Sequence, residues 1–341
     1  YDFNHESEHT NVFVDRVLHY WIEEYKIDGF RLDFTKGFTN KGGEGTPYDI
    51  SRIAILKRIA DQVWSYDPSN YLILEHFADN AEEKELADYG FMLWGNSNHN
   101  YNEATMGYHI DSKSDFSWGF YKSRGWIEPN LVTYMESHDE ERLMYKNLQF
   151  GNSSGDYNIK DMATALERQK LAAAFFFTLP GPKMIWQFGE LGYDFSINYN
   201  GRVGEKPIRW DYFSDSNRKE LYDMYSRLIN IRNKNEVFCS PETSVQLSLN
   251  NPNGLKRIGL SHSTMSVIII GNFGVVTQSI NPNFYYSATW YDDFNGVEIE
   301  VTDTQSEIEL DPGKFRIFTN KHLLGIEVEG DGNNNIPTAL S

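Results

Sequence analysis

The sequence predicts an α/β fold that gives way to a small all-β module, and two observations predict it. Apolar runs of strand length at 27–33, 71–75 and 131–136 end on an acid or lead into one, with helical patterns between them. From about residue 237 the texture changes to short alternating runs divided by Gly, Asn, Asp and Pro, the pattern of an antiparallel sandwich. Parallel strands alternating with helices imply a (β/α) barrel, whose C-terminal strand ends open onto a pocket.

The elements follow in order. Phe13, Val14, Val17, Leu18, Trp21, Ile22 and Tyr25 recur with helical spacing and predict a helix over 11–25. A strand follows at 27–33, then a loop rich in Gly and polar residues at 37–49. A helix over 47–65 turns Ile53, Ile55, Leu56, Ile59 and Val63 inward and stops at Asp67-Pro68. Strand 71–75, a short helix at 81–88 and a short strand at 91–94 come next. Residues 95–130 read as irregular. Strand 131–136, an apolar helix at 161–178, a final strand at 183–188 and a closing helix at 217–233 complete this part. The runs 265–270, 287–291, 297–301 and 314–319 are the strands of the β module.

Ile27-Asp28-Gly29-Phe30-Arg31-Leu32-Asp33 carries the densest chemistry. Side chains alternate along a strand, so Arg31 and Asp33 share a side. An arginine beside a carboxylate keeps it ionised and oriented, as a carboxylate nucleophile requires. The plainer reading is a surface ion pair at a strand end. Glu75 at the next strand end, and His138-Asp139 after the run at 131–136, weigh against it. Three strand ends each delivering an acid suit a glycosidase built on a (β/α) barrel.

The chain resembles the α-amylase family of retaining glycoside hydrolases. The resemblance rests on Gly29-Phe30-Arg31-Leu32-Asp33, on Glu75, on His138-Asp139, on the last-strand motif Gly181 to Glu190, and on Asp2-Phe3-Asn4. It covers residues 1 to about 320 and implies the last five strands of a TIM (β/α)8 barrel over 1–234. A β-sandwich over 235–322 and a flexible tail over 323–341 would follow. It implies Asp33 as nucleophile and Glu75 as general acid/base, its pKa raised by partial burial and by Asp33. It also implies that Asp139 and His138 contact the reacting sugar and that Arg31 holds Asp33. Lys36 is expected near the aglycone. His76 either lines the next subsite or is a hydrogen-bonded support behind the acid.

The expected reaction is cleavage of α-1,4 bonds in starch- or glycogen-like glucans with retention. Branching and pullulanase-type debranching are the alternatives within the class, and a non-catalytic glucan-binding protein is the alternative outside it. The chemistry needs no cofactor; a structural calcium ion is the one metal the resemblance allows. A monomer is expected.

Three departures from the family pattern stand out. Ser137 replaces the usual Asn before His138, Gly37 replaces the His after Lys36, and Glu140-Glu141-Arg142 forms a charged run that reads as a solvated loop or as an orienting group. Trp94, Trp118, Trp126 and Trp186 are the candidates for sugar stacking, with Trp118 and Trp126 preferred and Trp186 assigned to the core. Asn98, His99 and Asn100 are either ligands or turn formers.

Composition narrows the partners. A net charge of −18 argues against nucleic acid and anionic membrane, whereas a neutral sugar polymer is indifferent to it. One cysteine, Cys239, rules out an intrachain disulfide. No run is long and apolar enough to span a bilayer. The chain begins at Tyr1 with three barrel strands unaccounted for, so a longer parent protein is expected. A barrel lacking three strands would leave two edges unpaired, so residues 1–341 alone are expected to be unstable or inactive. Ile336 to Ser341 resembles the lead-in to the sorting domain of Bacteroidota proteins exported by the type IX route, which implies a secreted or cell-surface protein.

Overall fold

The computed structural model describes residues 3–326. Asp2 of the motif at 2–4, the tail from 327 and the segment 336–341 lie outside the described residues. The chain divides into two compact units. The first holds the residues up to 97, 117–134 and 181–184. The second holds 98–116, 135–180 and the chain from 185 onward.

The first unit is a curled sheet of parallel strands with helices between them. Its strands are β1 (Gly29–Leu32), β2 (Tyr71–Leu74), β3 (Met92–Asn96), β4 (Leu131–Tyr134) and β7 (Lys183–Met184), in the order β1-β2-β3-β4-β7. α1 (Glu8–Tyr25) precedes β1, α2 (Ile50–Tyr66) crosses from β1 to β2, and α3 (Asn80–Tyr89) crosses from β2 to β3. Helix α2 forms where Asp49 accepts a hydrogen bond from the Ser51 N–H and caps its start. Ile53, Leu56, Ile59, Ala60 and Val63 then make one buried stripe. Helix α1 meets α2 through the ion pair of Arg58 with Asp15 and the stacked rings of His19 and Tyr66. Gly29 pairs with Tyr71, and a Cβ at Gly29 would fall 2.4 Å from the Tyr71 carbonyl oxygen, so only glycine lets β1 start there.

The last strand is shorter than the expected 183–188. Ile185 leaves the sheet because the chain curls tightly after Trp186: Gly189 N–H bonds to the Trp186 carbonyl, and Phe188 and Gly192 adopt left-handed backbone.

The second unit carries α4 (Asn98–Met106), α5 (Leu143–Phe150), α6 (Met162–Thr178) and α7 (Ser216–Lys234), with the hairpin β5 (Ser153–Ser154) and β6 (Tyr157–Asn158). Helix α4 lies where irregular chain was expected. Its run of Asn and His has little intrinsic helical preference, and burial of Tyr101, Asn102, Ala104, Thr105 and Met106 makes it helical instead. The rest of the unit is antiparallel. β8 (Ser244–Ser248), β9 (Leu255–Ser261), β10 (Ser266–Asn272), β12 (Ala288–Asp292), β13 (Val297–Val301) and β15 (Phe315–Thr319) form one sheet in the order β13-β12-β15-β10-β9-β8. β11 (Gln278–Ile280) pairs with β14 (Ile308–Leu310) in a second sheet. Ile268, Ile270, Trp290, Phe318 and Leu310 fill one core with Ile280 and Ile308, so the two sheets face each other across it.

Asp215 caps α7, accepting from the N–H groups of Asn217 and Arg218 at 3.0 Å each. Asp215→Ala is expected to lower stability by about 1 kcal/mol, read as an earlier denaturant midpoint with an unchanged slope.

Candidate functional site

The candidate residues fall into two groups, one in each unit. In the first unit the ends of β1 and β2 run on together. Glu75 N–H bonds to the Leu32 carbonyl at 3.0 Å, and Thr35 N–H bonds to the Glu75 carbonyl at 2.8 Å. That register sets Asp33 and Glu75 side by side. Arg31 joins them: one guanidinium nitrogen donates to Asp33 and the other to Glu75 Oε2 at 2.7 Å. The guanidinium itself sits over the ring of Trp94 of β3, with Cζ 3.9 Å from the centroid. Trp94 is buried and meets Tyr134 of β4 edge-on. Trp94 is thus a platform for Arg31 rather than for a sugar.

The two carboxyls differ in surroundings. The Asp33 side chain is 76% exposed, that of Glu75 only 15%. Burial, helped by the hydrogen bond and charge of Asp33, raises the pKa of Glu75 against the lowering pull of the Phe34 N–H and Arg31. A carboxyl whose pKa is raised therefore stands beside a solvent-facing one, the difference in surroundings that acid-assisted displacement needs.

His76 follows Glu75 but faces the other way. It is fully buried, with Nδ1 2.9 Å from Thr35 Oγ1 and Nε2 2.9 Å from Glu82 Oε1. Arg52 pairs with the same Glu82, and burial lowers the pKa of the imidazole. The ring is a support behind the Asp33–Lys36 turn and does not line a sugar subsite. Lys36 receives Arg52 on its carbonyl at 2.7 Å and sends its amine toward the Phe34 ring.

Trp126, expected as a sugar platform, is not exposed to a ligand. It is buried, and its Nε1 donates to Asn80. Trp118 is 51% exposed, with Arg124 against its ring.

In the second unit His138 and Asp139 sit on a tight turn, half exposed, with Nε2 3.2 Å from Oδ2. Ser137 shapes that turn: its hydroxyl accepts from Asp139 N–H at 3.1 Å and donates to Glu140. Arg142 is not on a solvated loop. It is 2% exposed, and its Nη1 donates to the carbonyls of Ser137 and Glu140, so the turn is folded around it. Trp186 is partly buried beside both, 5.9 Å from the His138 ring and 6.0 Å from the Arg142 guanidinium. Glu141 takes the Ser196 hydroxyl and the Ile197 N–H, and Arg202 donates to the Asp139 carbonyl and carboxylate. Glu136, buried at the end of β4, accepts from Leu143 N–H at 2.6 Å, and burial pushes its pKa to about 7. The sequence singles out neither Glu136 nor Arg202, and shows Glu141 only as part of a charged run. The one signal was a lone acid, Glu136, inside an apolar run.

Asn98 is a buried brace that donates to the carbonyls of Met135 and Glu141, and Asn100 donates to Lys113. Among the described residues no three His, Cys, Asp or Glu side chains converge as a metal site would need.

No family model matches the chain. It is 24% identical over 264 residues to the 1,4-α-glucan branching enzyme of Bacillus cereus (strain B4264), a match covering 71% of this chain and 37% of that protein. Among solved structures it superposes on an Anoxybacillus α-amylase with a TM-score of 0.67 at 20% identity, covering 95% of this chain and 66% of that one. An α-amylase from Geobacillus thermoleovorans complexed with acarbose gives 0.69 at 14% identity, covering 94% and 66%. The chain therefore spans little more than a third of the curated relative it matches. What it shares with these structures is the fold, that of an α-amylase-type (β/α) barrel carrying a C-terminal β domain.

Proposed function

We propose that the protein is an α-glucan-active glycoside hydrolase that works with retention of configuration. Asp33 attacks the anomeric carbon, and Glu75 protonates the departing oxygen and then activates the water that releases the sugar. Asp139 and His138 hold hydroxyls of the glucan. One observation carries the reading: a single guanidinium, Arg31, reaches both carboxyls at neighbouring strand ends, and partial burial raises the pKa of Glu75, the less exposed of the two. Sharing one guanidinium keeps the two groups close, the arrangement of retaining enzymes; inverting enzymes leave room for a water between them.

Branching is the second reading, favoured by the likeness to the Bacillus cereus enzyme. It uses the same covalent intermediate and replaces water by a sugar hydroxyl. Incubating the full-length protein with amylose, pullulan and glycogen separates the two. Short α-1,4 oligosaccharides from amylose are expected for hydrolysis, and new α-1,6 linkages for branching. No change in any of the three would sink both readings.

A further inference from the structure

The chain after the last strand builds an arm that ends on Asp139. Glu141 anchors its base, taking the Ser196 hydroxyl at 2.7 Å and the Ile197 N–H at 2.9 Å. From there the backbone runs through consecutive turns, with N–H to carbonyl bonds from Tyr199 to Ser196, from Gly201 to Asn198 and from Gly204 to Gly201. Lys206 closes the end: its ammonium donates to the carbonyls of Gly201, Arg202 and Gly204. Gly204 is obligatory, because a Cβ there would lie 1.8 Å from the Asn200 carbonyl oxygen. The result is a loop with its own internal staple, and it presents Arg202. Nη2 of Arg202 donates to the Asp139 carbonyl at 2.9 Å and to Oδ1 at 3.2 Å. The Arg202 side chain is 56% exposed, so it keeps donors facing solvent while it holds Asp139.

We propose that Arg202 is a positioning residue delivered by this prebuilt arm. It fixes the orientation of the Asp139 carboxylate and offers its remaining donors to hydroxyls of the glucan bound there. A surface ion pair of two long side chains contributes little to stability, so an arm stapled at three carbonyls is more structure than folding needs. A loop ordered in advance lowers the entropic cost of holding a ligand group in place. The inference rests on the α-glucan reading above.

The test uses the full-length protein and soluble amylose. Arg202→Ala is expected to lower kcat/KM by about tenfold, mostly in kcat, with the melting temperature kept. Arg202→Lys, which retains charge but not the forked donor, is expected to recover part of that loss. Gly204→Ala touches neither partner of the ion pair. It is expected to reproduce the Arg202→Ala profile by displacing the arm. In an Asp139→Asn background Arg202→Ala should cost less than half its usual factor, because the group it positions is already impaired. An active wild type with Arg202→Ala unchanged, or with its loss undiminished in the Asp139→Asn background, overturns the proposal alone. A wild type that turns over no α-glucan overturns the reading beneath it and the proposal together.

Discussion

Asp33→Asn in the full-length protein is expected to lower kcat on soluble starch by about 10⁴-fold or more and to leave glucan binding intact. The substitution keeps the shape and removes the charge. An amide oxygen still accepts from Arg31, so the guanidinium stays between the two strand ends. It does not attack an anomeric carbon well enough to form the covalent intermediate. The side chain is mostly exposed and its partner pair lies near solvent, so folding should be barely affected. Retention on a glucan affinity gel and the melting temperature serve as controls. A variant that keeps a tenth of the activity would remove Asp33 from the role of nucleophile. Loss of binding along with turnover would mean that Asp33 holds the chain rather than reacting with it.

What could be read in the sequence was the chemistry that lies close in sequence or at a strand end. Arg31 is the last residue but one of β1 and Asp33 follows that strand directly, so their spacing keeps them near enough for the guanidinium to reach the carboxylate. Glu75 ends the next apolar run, and parallel pairing of consecutive strands brings the two ends level. The roles of His76 and Arg142 depended on partners that no local pattern announces. His76 is a buried support because Thr35, from the turn after β1, and Glu82, from the start of α3, both reach it. Glu140-Glu141-Arg142 looked like a solvated run, yet the turn folds back on Arg142 and Glu141 binds a segment 55 residues away. Arg202 reaches Asp139 across 63 residues of chain. Helix α4 was invisible for a related reason: its helicity comes from what it is buried against, and propensity carries no record of that.

Glu75→Gln is the complementary experiment, and its outcome depends on the leaving group. On amylose the departing sugar oxygen needs a proton, and kcat is expected to fall by about 10²–10⁴-fold. On 2,4-dinitrophenyl α-maltoside the phenolate leaves unaided, so formation of the covalent intermediate should slow by less than about tenfold. Release of the sugar still requires a base. The variant should therefore show a burst of dinitrophenolate followed by slow turnover, which amylose will not give. The pH profile carries the same information with a definite sign. Glu75 acts first as an acid, so kcat/KM must fall as pH rises through its pKa. Burial and Asp33 raise that pKa, which places the alkaline limb above the ordinary range of a glutamate. The limb should vanish in Glu75→Gln assayed by its burst rate on the activated substrate. Equal losses on both substrates, or an alkaline limb that survives the substitution, would show that the proton comes from elsewhere. Glu136, also a carboxyl raised by burial, would then be the next residue to replace.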